Sequence, residues 1–215
     1  MPLSSVHRAP VREDGGVSPP EPPLRIATVV LAAGGGSRFA GPTPKLLVPI
    51  DGRPLVVWAV EAAMQADVGP TVVVSGAVDL TGVLRERGVL DHVDLVVNDH
   101  WAEGQATSLA VGIGAADAMG VDAVVVGLGD QPGITAGAWR RVARADPAAP
   151  IVVATYGGRR RNPVRLARSI WPDLPVEGDE GARSLIAGRP ELVTEIACPG
   201  EPDDIDTLED LARWS

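Results

Sequence analysis

A chain of 215 residues, 45% hydrophobic and 22% charged, with a net charge of −9, is a folded globule rather than a disordered polymer, and at this length it buries roughly 70% of the surface its unfolded form exposes. The negative charge opposes a nucleic-acid backbone, and five tryptophans, one tyrosine and one phenylalanine offer little surface for base stacking along a strand. The apolar runs are far shorter than a bilayer span, and the single cysteine, Cys198, excludes an internal disulfide and a cysteine-based zinc cluster, which fits a reducing cytoplasm.

Residues 1–24, "MPLSSVHRAPVREDGGVSPPEPPL", are rich in Pro, Ser, Gly and charge and lack the apolar centre of a secretory signal, so they read as a disordered leader to a domain over residues 25–215. The domain opens on a buried strand, Arg25 to Ala33, and a helix from Pro54 to Ala66 follows. Next come a strand over Pro70 to Gly76, a helix over Asp79 to Gly88, a strand over Val93 to Asn98, a helix over Ser108 to Gly120 and a strand over Asp122 to Asp130. Apolar runs without alternation, separated by helices, predict an α/β fold with a doubly wound, mostly parallel sheet covered on both faces. Residues 150–166 read as two strands turning at Gly157 and Gly158, an antiparallel excursion at the sheet's edge. A strand over Leu192 to Ala197 and a helix over Asp206 to Trp214, acidic at its start, close the chain.

Ligands of such sheets sit beyond the carboxyl ends of the strands. There, directly after the first strand, stands "LAAGGGSRFAGPTPKLL", residues 31–47. Gly34, Gly35 and Gly36 let backbone N–H groups converge without Cβ obstruction, while Arg38 offers a fork-like phosphate contact and Lys45 a point charge. The alternative is a tight turn followed by a solvated lysine. Two other phosphate loops fail, because Phe39 stands where a dinucleotide fingerprint needs glycine and Pro42 where a Walker loop needs lysine. Ser37 and Ser75 lack a hydrolase frame, and His7, His92 and His100 lack metal-ligand spacing. Asp130, at the end of its strand, either shares a Mg²⁺ with phosphate oxygens or caps the turn behind it. Asp206 offers a second carboxylate, or an ordinary helix N-cap.

The segments "LAAGGGSRFAGPTPKLL", "NDHWAEGQATSLAVG", "GLGDQPGIT", "RNPVRL", "EGDEGAR" and "DIDTLEDL" together resemble the molybdenum cofactor cytidylyltransferase branch of the MobA-like nucleotidyltransferases, in order over nearly all of residues 25–215. The resemblance implies a Rossmann-like nucleotidyltransferase fold and Mg²⁺-dependent transfer of CMP from CTP to the terminal phosphate of molybdenum-bearing molybdopterin, releasing pyrophosphate. By position, it implies that Ala32, Ala33, Gly34, Gly35 and Gly36 wrap the triphosphate, that Leu31 belongs to the nucleotide-binding set, and that Arg38 and Lys45 neutralise the phosphates. Asp130 and Asp206 would ligate the metal, with Arg38, Lys45 and Asp130 catalytic. Asn98, Gly104 and Ser108 would lie near cytosine and ribose, Ser108 being alternatively a helix cap. Asn162, Asp179, Gly181 and Arg183 would line the acceptor side, and Arg159 to Arg161 either attract the acceptor's phosphate or form a solvated hairpin tip. Phe39 and Ala40 depart from the Met and Gly of many relatives, and "GPTP" lengthens the approach to Lys45.

The partners implied are CTP, the molybdopterin-type acceptor and, transiently, an apo-molybdoenzyme of the xanthine dehydrogenase kind, with neither nucleic acid nor membrane. Three other readings stay open: a GTP-dependent transferase of the guanylyl or deazaflavin-cofactor type, a non-catalytic chaperone of the finished cofactor, and an oxidoreductase, which the absent dinucleotide fingerprint disfavours.

Overall fold

Runs such as Ile26-Ala-Thr-Val-Val-Leu-Ala32 carry β-branched side chains in every register, which suits strands covered on both faces. In the computed structural model, which describes residues 23–214, this run is strand β1 (Ile26–Ala32), buried along its whole length. Most of the leader expected over residues 1–24 lies outside the described residues. A two-strand ribbon, β2 (Pro49–Ile50) and β3 (Arg53–Pro54), leads into helix α1 (Leu55–Gln65). Then follow β4 (Thr71–Ser75), α2 (Thr81–Glu86), β5 (Asp94–Val97), α3 (Gln105–Ala118), β6 (Ala123–Leu128) and α4 (Ala136–Ala143). The chain ends with β7 (Ile151–Tyr156), β8 (Arg159–Ala167), α5 (Arg183–Gly188), β9 (Val193–Ala197) and α6 (Leu208–Arg213).

Seven strands form one sheet in the order β5-β4-β1-β6-β8-β7-β9, and only β8 runs against the rest. Helices α1, α2 and α4 pack on one face around Val56, Val57, Leu84 and Trp139; α3 and α5 cover the other around Leu109, Ala116 and Ile186. The sheet is doubly wound, as the alternation of strands and helices predicts.

The hairpin differs from expectation in its position. Gly157 and Gly158, at φ 55° and 79°, form the two-residue turn, a backbone region that glycine enters without Cβ strain. The returning strand β8 does not lie at an edge: it pairs with β6 on one side and β7 on the other, and β9 forms the outer strand. Burial explains the placement, since Val164, Arg165 and Leu166 are all covered and an edge would leave them half solvated. Pro163, which has no N–H to donate, falls at the irregularity where the β7–β8 register shifts.

Arg165, fully buried on β8, joins sheet to helix. Its guanidinium donates to the carbonyls of Ala143, Ala145, Asp146 and Ala149, the last turn of α4 and the loop behind it, where the helix dipole is negative. Burial opposes the charge and Asp146 supports it. Arg165→Met strands these carbonyls without donors and should lower unfolding free energy by about 3–5 kcal/mol, read from urea titration. A loss below about 1 kcal/mol would show that water replaces the guanidinium.

Candidate nucleotide site

Because β1, β4 and β6 run parallel, the loops after Ala32, Ser75 and Leu128 open at one end of the sheet. Those after Ala32 and Leu128 border a cleft of about 590 Å³. The loop after β1 supplies Ala33, Gly34, Gly35, Gly36 and Arg38 to its wall. Among the described residues, the backbone N–H groups of Gly34 to Arg38 donate to no protein acceptor, and the next one, of Phe39, closes a turn on the carbonyl of Gly36 at 2.9 Å. Bare amides in a row form an anion-binding concavity. Gly36 has φ 63°, and a Cβ there would lie 3.0 Å from the Cβ of Lys45, so glycine is required both by the backbone and by the close approach.

After the "GPTP" stretch, Lys45 reaches the cleft. Phe39 packs with Ile50, Leu55 and Ile205, the buried Leu46 anchors the turn that carries Lys45, and the lysine side chain, 10% exposed, turns into the cleft. Its Nζ lies 2.6 Å from Asp130 Oδ2 and 3.0 Å from Asp206 Oδ1. Burial works against the ammonium, yet the charges and hydrogen bonds of Asp130 and Asp206 outweigh it and hold the Lys45 pKa above its ordinary value. Arg38, largely exposed, reaches Asp206 Oδ2 at 2.9 Å.

Neither aspartate is spent on capping. Thr207 caps α6 in a capping box with Asp210, which leaves Asp206 free to face the lysine. Asp130 turns to Lys45, and the Asp130 carbonyl accepts the N–H of Ile205 at 3.1 Å, tying the two acidic segments together. Asp130 Oδ1 is buried and has no hydrogen-bond partner among the described residues. A buried carboxylate oxygen without a donor is costly unless something else binds it. With Asp206, it supplies the one or two carboxylates that a hard divalent cation takes while keeping waters and phosphate oxygens. The residues fit such an ion. Among the described residues no group of three or more His, Cys, Asp or Glu stands close enough together to hold a metal ion by itself.

Several expected site residues serve this cleft differently. Leu31, Gly104, Ser108, Asp179 and Arg183 line it, but Ala32 lies buried in the sheet and Asn98 is buried behind the wall. Asn98 Nδ2 donates to Thr107 Oγ1 and Ser108 Oγ, both at 2.9 Å, and its Oδ1 accepts the N–H of His100 at 3.0 Å, so it shapes the loop rather than the ligand. Helix α3 begins at Gln105, three residues before its expected start, which puts Ser108 inside it and not at its cap. Gly104, at φ 115°, precedes the helix; a Cβ there would lie 2.4 Å from the backbone of Gly178. Gly181 is buried against Gln105 of the cleft wall, where it borders a small pocket with Leu31, Leu128, Asn162 and Arg183.

Asn162 belongs to a second chamber of about 600 Å³, bordered by Arg160, Arg161, Val164 and Ile186. Arg183 and Asp204 line both spaces and so mark their junction. Arg160 and Arg161 border this chamber and, like Arg159, remain exposed beside the hairpin turn, and Arg160 also pairs with Glu195 at 2.8 Å.

Sequence reasoning missed Asp204 and Trp101. No local pattern marks Asp204; the fold does, because Ile205 is fully buried and the aspartates on either side of it line the cleft. Gln131 donates to Asp204 and accepts from Asn162 Nδ2 at 3.0 Å. Burial first, and then the charge of Asp130, push the Asp204 carboxyl above the usual carboxylate range, against the Gln131 hydrogen bond. With its folded pKa raised, its contribution to stability is complete below the unfolded value of 3.8 and is lost as pH rises through the folded value. In metal-free buffer, Asp204→Asn should therefore gain stability relative to the parent as pH rises above the unfolded value, read in urea midpoints. A pH-independent difference would contradict this.

A doubly wound sheet whose first loop presents free amides beside a buried, carboxylate-held ammonium is the frame of a nucleotidyltransferase enzyme, and the solved structures of similar fold agree. The chain belongs to the family of MobA-like NTP transferase domains, whose model matches residues 28–194. It is 32% identical, over 199 residues, to nicotine blue oxidoreductase of Paenarthrobacter nicotinovorans, covering 87% of this chain and 95% of that protein. Rv0371c from Mycobacterium tuberculosis H37Rv superposes with a TM-score of 0.77 at 29% identity, covering 90% of this chain and 98% of the other. A second structure of Rv0371c is a complex with manganese, with a TM-score of 0.73 at 28% identity over 88% of this chain and 97% of the other. A nucleotidyl transferase from Methanothermobacter thermautotroptrophicus has a TM-score of 0.73 at 25% identity, over 88% and 95% of the two chains. Among the described residues no helix is long and apolar enough to cross a membrane.

Proposed function

We propose that the protein transfers CMP from CTP to the terminal phosphate of molybdenum-bearing molybdopterin, in the cytoplasm, with a divalent cation, Mg²⁺ or Mn²⁺. One observation carries the reading: the Lys45 ammonium, clamped by Asp130 and Asp206, stands beside a loop of unpaired amides. Those amides receive triphosphate oxygens, and Lys45 and Arg38 balance charge as pyrophosphate leaves; Asp130 and Asp206 would hold the cation, which would supply further neutralisation of the phosphates. The acceptor enters the second chamber, where Arg160, Arg161 and Arg183 attract its phosphate.

The acceptor oxygen forms the new bond to the α-phosphorus as the bond to the β-phosphate bridging oxygen breaks, and the electron pair leaves with pyrophosphate. A phosphate acceptor is already anionic near neutral pH, so positioning and charge stabilisation suffice without a strong base. The preference for CTP rests on the "LAAGGGSR" opening of the loop, in the pattern of the cytidylyl branch.

The test is pyrophosphate release from purified protein given each nucleoside triphosphate, with Mg²⁺ or Mn²⁺ and the molybdenum-bearing acceptor. Release is expected with CTP and acceptor together. Release with GTP instead would assign the guanylyl or deazaflavin type; nucleotide binding without release would assign a chaperone that hands the finished cofactor to an apo-molybdoenzyme. The word oxidoreductase in the name of the nicotine blue relative makes oxidation of a reduced nicotinamide dinucleotide a necessary control, expected to be silent because Phe39 replaces the fingerprint glycine.

A further inference from the structure

Trp101 is the one aromatic side chain on the cleft wall among the described residues, and it is 37% exposed. It opens a short 3-10 turn, Trp101–Glu103, between β5 and α3. Two glycines make room for it. A Cβ on Gly35 would lie 3.1 Å from Trp101 Cζ3 and 3.3 Å from Cη2, and one on Gly76, just after β4, would lie 2.8 Å from Trp101 Cβ. The buried Asn98 fixes the turn from behind: its Oδ1 accepts the N–H of His100, and Thr107, to which it donates, bonds the His100 carbonyl at 3.1 Å.

The glycine loop thus has different neighbours on successive residues. Gly36 abuts Lys45, whereas Gly35 abuts the indole. One flank is cationic and suited to phosphate, the other aromatic and suited to a planar, uncharged group. A nucleoside triphosphate has this polarity, so its phosphates face Lys45 and its heterocycle faces Trp101.

We infer that Trp101 is the nucleobase-stacking residue of the cleft, giving the nucleotide its orientation and holding the base end while the loop amides hold the phosphates. The inference builds on the nucleotide reading of the cleft. Stacking on an aromatic ring tolerates any base, because every base has a π-face; Trp101 therefore supplies affinity and direction, and the choice among bases falls to the polar groups around it.

The experiment compares CTP with inorganic tripolyphosphate, which carries the charges without a base, by calorimetric titration of the full chain with Mg²⁺ present. Trp101→Ala should weaken CTP by about tenfold and leave tripolyphosphate unchanged, and Trp101→Phe should restore most of the CTP affinity. Parallel loss of both ligands would mean that the indole only props the loop, and no loss of either that it does nothing; each overturns the inference. Trp101-dependent CTP binding without pyrophosphate release would overturn cytidylyl transfer alone, whereas failure of the unaltered protein to bind any nucleoside triphosphate would overturn both.

Discussion

Lys45→Met lowers the rate of pyrophosphate release by about 10²–10³-fold at saturating nucleotide and metal, the usual cost of deleting one charge-stabilising group from a preorganised site. The ammonium sits where two carboxylates hold it and burial excludes most water, so no solvent cation takes its place at the leaving group. A second signature separates charge from packing. Methionine fills similar volume but leaves Asp130 without its cation and Asp206 with the exposed Arg38 alone, which costs about 3–5 kcal/mol of stability in metal-free buffer. Mn²⁺ should return part of that loss, because a cation bound between the carboxylates stabilises the folded form in proportion to its occupancy. Wild-type rates in Lys45→Met would detach the lysine from the leaving pyrophosphate, and a stability loss indifferent to Mn²⁺ would detach the aspartates from the metal.

The legible parts of this molecule are those decided within a few residues. The β1 run and the glycines behind it mark a strand-to-loop junction by local sterics alone, and parallel order follows from helices that separate continuous apolar strands. The convergence of Lys45 with Asp130 followed from the rule that such sheets bind ligands at the carboxyl ends of their strands, not from a pairwise signal between residues 85 positions apart. What the rule could not convey is which side chains turn inward. Asn98 carries a polar amide in the right loop, yet the buried hydroxyls of Thr107 and Ser108 claim it. Asp204 stands beside two other aspartates with nothing local to single it out, and only the burial of Ile205 decides its direction. The interior position of β8 was hidden for a similar reason. Hairpin chemistry fixes where the chain turns but not which neighbour the returning strand meets, and that depends on the coverage needed by Arg165 and Leu166.

Asp130→Asn abolishes metal-dependent pyrophosphate release, by about 10³-fold or more, on the scale of the several kcal/mol that a metal ion contributes to charge stabilisation. The substitution isolates charge. Asparagine keeps the shape, can still accept from Lys45 Nζ, and leaves the backbone tie from the Asp130 carbonyl to Ile205 intact, so the protein should stay folded. The buried oxygen without a donor, Oδ1, then loses the anionic character that a hard cation needs. Because the lost contribution belongs to the site and not to metal supply, tenfold more Mg²⁺ or Mn²⁺ should not rescue the rate. Asp206→Asn should be milder, since Asp206 divides itself between Lys45 and the exposed Arg38 while Asp130 alone holds an oxygen in reserve. Equal rates for Asp130→Asn and the unaltered enzyme would move the cation elsewhere in the cleft, and recovery at high metal would reduce Asp130 from an essential ligand to one that tunes affinity.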